Sequence, residues 1–256
     1  MVMGIDVFKE YFKDHNDKYV LIGGAACDIL MGEMGLEFRT TKDIDIILII
    51  EALDPEFGRV FWNFIKKGGY ENIQKSTNEK EFYRFNKPRN SDFPFMIELF
   101  SRKPDILQIP EGATLSAIPF DEEVSSLSAI LLDAEFYKFI INGRREIDGL
   151  PLIDKEYLIP MKVRAFLDLS NKKEKGEKVD NDDIKKHRRD VFRLLNILTP
   201  GTRVELPQLI ADDMNVFIEK MKQDPPDLKN LKLGKKTIPE RLSDLREVYQ
   251  MENKVS

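Results

Sequence analysis

The feature that most constrains this chain is a pair of aspartates inside its most apolar segment. Asp43 and Asp45 stand in the run 43–50, where all the other residues are Ile or Leu. Such a run predicts a buried strand, and alternation along a strand puts both carboxylates on the same face. Neighbouring carboxylates on a largely buried strand repel each other and lose hydration, so the pattern favours a cation between them.

A second constraint lies upstream, where an apolar strand runs into two glycines and then a helix. Tyr19–Ile22 predicts the strand, Gly23 and Gly24 the turn, and Ala25–Met34 the helix. Glycines allow a sharp turn and a close approach of the backbone to a ligand. The N-terminus of the following helix offers unpaired N–H groups, which favour a bound phosphate.

A third acid stands alone in another apolar segment. Glu98 interrupts the predicted strand Phe93–Phe100, and a neighbouring strand would bring it beside the aspartate pair. Three carboxylates are the ligands expected of a two-metal site. Mg²⁺ is the natural ion because it takes carboxylate oxygens together with substrate phosphates, and Mn²⁺ is the alternative. The predicted metal ligands are therefore Asp43, Asp45 and Glu98.

The order of the predicted elements indicates an α+β fold with two domains. Strands dominate residues 1–150, and residues 151–256 are almost wholly helical, which puts the boundary near Pro151. Further strands are predicted at 81–85, 135–141 and 145–147, the last two joined by a hairpin turn at Asn142-Gly143. The predicted helices of the second domain are 157–169, 182–198, 206–222 and 239–251.

The composition and charge indicate the environment in which the protein acts. The net charge is −5, which does not suggest a general nucleic-acid coat, and Cys27 is the only cysteine, so no intrachain disulfide can form. No segment has the roughly 20 apolar residues needed to span a bilayer, and residues 1–13 lack the pattern of a signal peptide. We expect a cytoplasmic protein without a membrane partner.

The motifs resemble those of the DNA polymerase β-type nucleotidyltransferase superfamily. Within it, the pattern is similar to the AbiEii/AbiGii abortive-infection toxins, and the resemblance covers residues 15–200. The first motif, Gly-Gly-x-Ala, is matched by residues 23–26, although many superfamily members have Gly-Ser there. The matches to the later motifs are Arg39, Thr41, Asp43 and Asp45, then Lys162, then Lys186 with Asp190.

The resemblance implies a polymerase β-like nucleotidyltransferase domain, with a mixed sheet flanked by helices, followed by a helical domain that contributes to the active-site cleft. It implies transfer of a nucleoside monophosphate from a nucleoside triphosphate to an RNA, such as tRNA, or to a protein hydroxyl. It also suggests the toxin of a toxin–antitoxin pair, with a cognate antitoxin as partner.

The resemblance implies a role for each site residue as well. Gly23 and Gly24 contact the triphosphate through N–H groups, and Thr41 adds a hydroxyl donor. Lys162 contacts the triphosphate and offsets charge on the leaving pyrophosphate. Lys186 and Asp190 position the nucleotide or the acceptor. Arg39 contacts phosphate or pairs with a site carboxylate.

Each of these residues also has an ordinary structural interpretation. Asp43 and Asp45 could be surface acids on an edge strand, and Glu98 could face solvent. Lys186 and Asp190 are four apart, the spacing of a helical ion pair. For the whole chain, the alternative hypotheses are a nucleotide-binding regulator that has lost catalysis and a protein whose C-terminal helices bind a partner.

Overall fold

The computed structural model consists of two compact units, Met1–Asp154 and Lys155–Ser256. The sequence put the boundary near Pro151, which lies inside the last strand of the first unit. The structure describes residues 2–49, 52–70, 72–75, 81–101, 115–117, 134–228, 231 and 233–251.

The first unit is built on a sheet that has eight strands in the residues that the structure describes. Its strands are β1 (Tyr19–Ile22), β2 (Asp43–Leu48), β3 (Asn72–Lys75), β4 (Glu81–Asn86), β5 (Met96–Ser101), β6 (Leu115–Ala117), β7 (Arg144–Ile147) and β8 (Leu150–Ile153). Its described helices are α1 (Ile5–Phe12), α2 (Gly23–Glu33), α3 (Pro55–Gly68), α4 (Ala134–Asn142) and a short 3-10 helix (Asn16–Lys18).

The strand order is β6-β3-β4-β5-β2-β1-β8-β7, and the sheet is mixed. Strand β2 runs antiparallel to β1 and parallel to β5, while β1 runs parallel to β8. The predicted α+β class, with a mixed sheet first and helices after it, is therefore confirmed. All four residues of β1 are buried, as expected for a central strand with both faces covered.

Helices α1 and α3 cover the sheet with an aromatic core. The ring centroid of Phe12 lies 4.5 Å from that of Phe8 and 5.4 Å from that of Phe64. Phe61 lies 5.4 Å from Phe85 of β4, which ties α3 to the sheet. All five rings are buried, and burying one such side chain contributes about 1.5–3 kcal/mol. This packing fixes the strands that carry the acidic residues.

Residues 135–141, predicted as a strand, lie instead within helix α4. Aromatic and β-branched residues favoured the strand prediction, but Phe136, Phe139 and Ile140 have helical spacing and are buried together. Gly143 ends the helix, because its N–H donates to the carbonyls of Phe139 and Ile140. The hairpin turn lies further along the chain, between β7 and β8 at residues 148 and 149, both with positive φ.

The second unit consists of helices in its described residues: α5 (Lys155–Glu174), α6 (Asn181–Asn196), α7 (Gln208–Gln223) and α8 (Ile238–Val248). The Phe217 ring of α7 packs against Phe166 of α5 and Phe192 of α6, with centroids 5.4 and 6.2 Å apart. In the part of the chain that the structure describes, none of the helices combines the length and apolarity needed to cross a bilayer.

Candidate active site

Strand pairing aligns charged residues in one row across the sheet of the first unit. Asp45 of β2 is paired with Glu98 of β5. On the far side of β5, Glu98 is paired with Arg84 of β4. On the other side of β2, Asp45 is paired with Ile22, the residue before the glycine turn. Because neighbouring strands lie about 4.8 Å apart, these side chains are immediate neighbours.

The glycine turn touches two of the predicted site residues. Gly23 has a φ of 66°, and a Cβ on it would lie 1.7 Å from Oδ2 of Asp45. A Cβ on Gly24 would lie 2.6 Å from Oγ1 of Thr41. Only glycine fits at either position without moving its neighbour. The structure therefore brings four of the predicted site residues together, with the main chain of α2 against the Asp45 carboxylate.

Helix α2 begins at Gly23 immediately beside these carboxylate and hydroxyl groups. Its N-cap residue is Ile22, which has no side-chain oxygen to cap the first-turn N–H groups. The start of a helix carries unsatisfied N–H groups and a partial positive charge. This small region therefore contains the start of a helix, a threonine hydroxyl and an aspartate carboxylate.

Glu98 is held by an arginine that the sequence analysis did not single out. The Nε and Nη2 atoms of Arg84 lie 2.8 and 2.7 Å from Oε1 of Glu98. Both side chains are largely buried, at 12% and 9% exposure. In the sequence, Arg84 stands between Tyr83 and Phe85, which are both fully buried in the fold. Its partner Glu98 lies on the neighbouring strand β5, and only the folded sheet shows that these two strands are neighbours.

The surroundings of Glu98 disfavour the ionised form of its carboxyl group. Burial raises the pKa of Glu98 well above its usual range, and the adjacent Asp45 carboxylate raises it further. The guanidinium of Arg84 acts in the opposite direction without cancelling the other two effects. A hydrogen bond between Asp45 and Glu98 stabilises the protonated form of Glu98. Burial and the adjacent Asp45 together favour the protonated form of Glu98.

The aspartate pair has the donor chemistry expected of a magnesium site. Asp43 and Asp45 are two residues apart on β2, so they share a face, and both are partly exposed to solvent. Mg²⁺ is bound by one or two carboxylates plus substrate phosphates, which this pair fits.

The three-carboxylate centre of Asp43, Asp45 and Glu98 stays a prediction. Among the described residues, no group of three or more His, Cys, Asp or Glu side chains could hold a metal ion. One oxygen of the Glu98 carboxylate, Oε1, is held by Arg84. The structure pairs Asp45 with Glu98 across the two strands.

Arg39 lies in the segment 36–42 that connects α2 to β2. Its guanidinium carbon lies 5.1 Å from the ring centroid of Phe38, a cation–π contact, and its side chain is half-buried. The contact of Arg39 with a phosphate or a site carboxylate stays a prediction.

The predicted site residues of the second unit form a buried ion cluster of their own. Asp190 of α6 is fully buried, and its carboxylate lies 3.5 Å from Lys162 Nζ of α5 and 3.3 Å from Arg193. Lys186 points to Asp183, 2.9 Å away, on a partly exposed face. The structure therefore joins Lys162 to Asp190, and their action on a nucleotide stays a prediction.

No protein-family model matches this chain, and no curated protein matches its sequence. Among solved structures, the chain is similar to the polyadenylate synthase of Megavirus, with a TM-score of 0.40 and 14% sequence identity. The similar region covers 86% of this chain and 36% of the viral protein, so the chain spans little more than a third of that protein's length.

Proposed function

We propose that this protein is a metal-dependent nucleotidyltransferase, which transfers a nucleoside monophosphate from a nucleoside triphosphate to a hydroxyl group of an RNA or a protein. The observation that carries the proposal is the contact between the glycine turn and Asp45, where a Cβ on Gly23 would lie 1.7 Å from the carboxylate. This contact joins the two motifs on which the resemblance to the polymerase β-type superfamily rests.

The phosphate site of the proposal is the start of α2. Its first-turn N–H groups and the Thr41 hydroxyl beside Gly24 would donate to the triphosphate. Negative charge is favoured there by the helix dipole, whereas the nearby Asp45 carboxylate repels an uncompensated phosphate. A divalent cation resolves this conflict, because it is attracted by both the carboxylate and the phosphate.

Asp43 and Asp45 would hold Mg²⁺ or Mn²⁺, and Glu98 would join them as the third ligand. The bound cations would neutralise the phosphates and lower the pKa of the acceptor hydroxyl. The acceptor oxygen attacks the α-phosphorus, a P–O bond forms to it, and the bond to the departing pyrophosphate breaks. The proton of the hydroxyl would pass to a site carboxylate or to water.

The two lysines of the second unit have different surroundings. Lys162 is engaged with the buried Asp190, which supports a structural role in joining α5 to α6. Lys186 lies on a partly exposed face and would contact the triphosphate or the acceptor. The finer identity, a toxin with a cognate antitoxin and tRNA as acceptor, follows from the resemblance to the AbiEii/AbiGii proteins.

The test is incubation of the purified protein with each of the four labelled nucleoside triphosphates, Mg²⁺ and total RNA. We expect label to appear on RNA or on protein, and to disappear when EDTA removes the cation. Asp43→Asn and Asp45→Asn should each abolish transfer. Asp92→Asn, in an exposed loop, is the matched control. Absence of transfer with all four nucleotides, or transfer that survives both site variants, contradicts the proposal.

A second function is favoured by the Arg84–Glu98 ion pair. An arginine that neutralises the third carboxylate competes with a metal for it, as expected in a nucleotide-binding regulator without catalysis. Calorimetry separates the two hypotheses, because the regulator binds a nucleotide with Mg²⁺ and releases it unchanged. Turnover of the nucleotide by the wild-type protein under the same conditions would contradict the regulator.

A further inference from the structure

A groove of about 620 Å³ opens on the first unit, away from the strands that carry the acidic row. Its walls come from α1, the C-terminal half of α2, the start of the segment 36–42 and the β7–β8 turn. This volume lies within the range of ligand-binding clefts. None of its lining residues belongs to the proposed nucleotide site.

The groove has an apolar floor that continues onto the surface. Ile29 and Phe38 line it and are half-buried, and Leu36 lines it with 43% of its surface exposed. Met34, next to this segment in the chain, is 54% exposed. Exposed apolar surface rimmed by polar residues marks interaction sites and ligand-binding grooves.

The edge of the groove is acidic. Its charged lining residues are Asp6, Asp28, Glu33, Glu37 and Asp148, with Lys9 as the one cation. Arg145 offsets one of these charges, because its Nη2 lies 2.6 Å from Glu33. Apart from Glu33 and Asp28, which are engaged in other interactions, the acids Asp6, Glu37 and Asp148 outnumber Lys9. This negative charge attracts cationic partners and repels phosphate-bearing ones.

We propose that this acidic groove binds a positively charged amphipathic helix of a partner protein. Apolar side chains on one face of such a helix would bury Ile29 and Leu36, while lysines and arginines at its borders would meet Glu37 and Asp148. This is the helix-in-groove mode of recognition, in which the apolar contact provides most of the affinity and the charges determine the orientation of the bound helix. The groove's charge makes it unsuited to RNA or to an anionic lipid surface.

The groove adjoins the proposed nucleotide site through two covalent connections. Helix α2 has Gly23 and Gly24 at one end and the groove residues Asp28–Glu33 towards the other. The segment after α2 carries Leu36 and Phe38 into the groove and Thr41 against Gly24. A bound helix would therefore restrain both elements that touch the phosphate site.

The test uses a fluorescent Lys/Leu peptide of about 18 residues, long enough to form an amphipathic helix. Binding to the full chain is measured by fluorescence anisotropy, beside a Glu/Leu peptide of the same pattern and a Lys/Ser peptide without apolar residues. A benzophenone version of the peptide locates the contact by crosslinking. We expect the Lys/Leu peptide alone to bind, with crosslinks within residues 28–38 or 147–150.

Two groove variants and a matched control decide the outcome. Glu37→Lys with Asp148→Asn, and separately Leu36→Ser, should each weaken binding about tenfold. Asp14→Lys with Asp92→Asn raises the net charge equally at exposed sites outside the groove and should leave binding unchanged. Asparagine is used at position 148 because the backbone there has a φ of 49°.

Three results would overturn the proposal. One is equal weakening in the groove and control variants, which would mean that only net charge attracts the peptide. Another is binding of the Lys/Ser peptide as tightly as the Lys/Leu peptide. The third is self-association of the chain that Leu36→Ser abolishes, since a second copy would then occupy the groove. All readouts are independent of nucleotidyl transfer.

Discussion

Asp45 lies directly opposite Glu98 on adjacent parallel strands, and a hydrogen bond joins the two carboxyl groups. Such an arrangement costs stability when both groups are ionised, because their charges repel each other in a poorly hydrated site. Arg84, on the other side of Glu98, offsets part of this cost. The row of three side chains therefore links the stability of the first unit to the chemistry proposed for it.

The first prediction concerns pH. Burial and Asp45 raise the folded-state pKa of Glu98 above its ordinary value of 4.5. The stabilising contribution of Glu98 is then fully present below the unfolded-state pKa and is lost as the pH rises through the folded-state pKa. Glu98→Gln removes this titration. We expect the free energy of unfolding of Glu98→Gln, relative to wild type, to increase from about pH 4.5 to 8, as measured by urea unfolding.

The exposed Glu37→Gln serves as the control for this experiment. If both variants follow the same pH dependence relative to wild type, the link between Glu98 and its buried surroundings is wrong.

The second prediction isolates the contact between the glycine turn and Asp45. Gly23 and Gly35 have nearly the same φ, 66° and 67°, but a Cβ on Gly35 would meet nothing within 4 Å. Gly35→Ala should cost about 1–2 kcal/mol of unfolding free energy from backbone strain alone. Gly23→Ala should cost several kcal/mol more and should abolish Mg²⁺-nucleotide binding in calorimetry, because Asp45 must turn away. Equal losses of unfolding free energy in the two variants would show that the close approach of Gly23 to Asp45 does not affect stability.

The third prediction concerns Arg84. Replacing one member of a buried ion pair leaves the other charge uncompensated, so Arg84→Met should cost about 3 kcal/mol of unfolding free energy at a pH above the folded-state pKa of Glu98, where Glu98 is ionised. The loss should shrink in a Glu98→Gln background, where no carboxylate is left behind. Arg59→Met, on the exposed face of α3, is the control. An unchanged loss in the double variant would mean that Arg84 acts through other contacts.

The fourth prediction separates the two lysines of the second unit. Lys162→Met leaves the fully buried Asp190 with less positive charge, so it should cost about 3 kcal/mol of unfolding free energy. Lys186→Met removes a partly exposed pair with Asp183 and should change stability by less than about 1 kcal/mol. Guanidinium unfolding of both variants measures the difference. A larger loss of unfolding free energy for Lys186→Met would mean that Lys186, rather than Lys162, has the structural role.

Local features of the fold were predictable from the sequence, and long-range pairings were not. A few consecutive residues are enough to predict the strand at Asp43–Leu48 and the glycine turn before α2. Both elements form as expected. The pairing of Asp45 with Glu98 depends on β2 and β5 becoming neighbours, which no short window specifies. Arg84 escaped notice for the same reason, since its partner is defined only by the register of β4 on β5.

The incorrect strand at 135–141 has a different cause. Its aromatic and β-branched residues favour a strand, and Asn142-Gly143 favours a hairpin, but burial of one helical face outweighed both preferences. In the second unit, the four-residue spacing of Lys186 and Asp190 suggested that they pair with each other. Tertiary packing also brings Asp190 to Lys162 of another helix, which the spacing does not predict.

The parallel pairing of β1 with β8 has a consequence for how the chain acquires its structure. Leu21 is paired with Leu152, so a strand made early in synthesis gains one of its neighbours only after most of the first unit has left the ribosome. Until then one long edge of β1 has no partner strand, although every residue of β1 is buried in the finished protein. A nascent chain cut short before Ile153 would therefore expose an apolar strand next to the glycine turn, which makes it a substrate for chaperones or for aggregation.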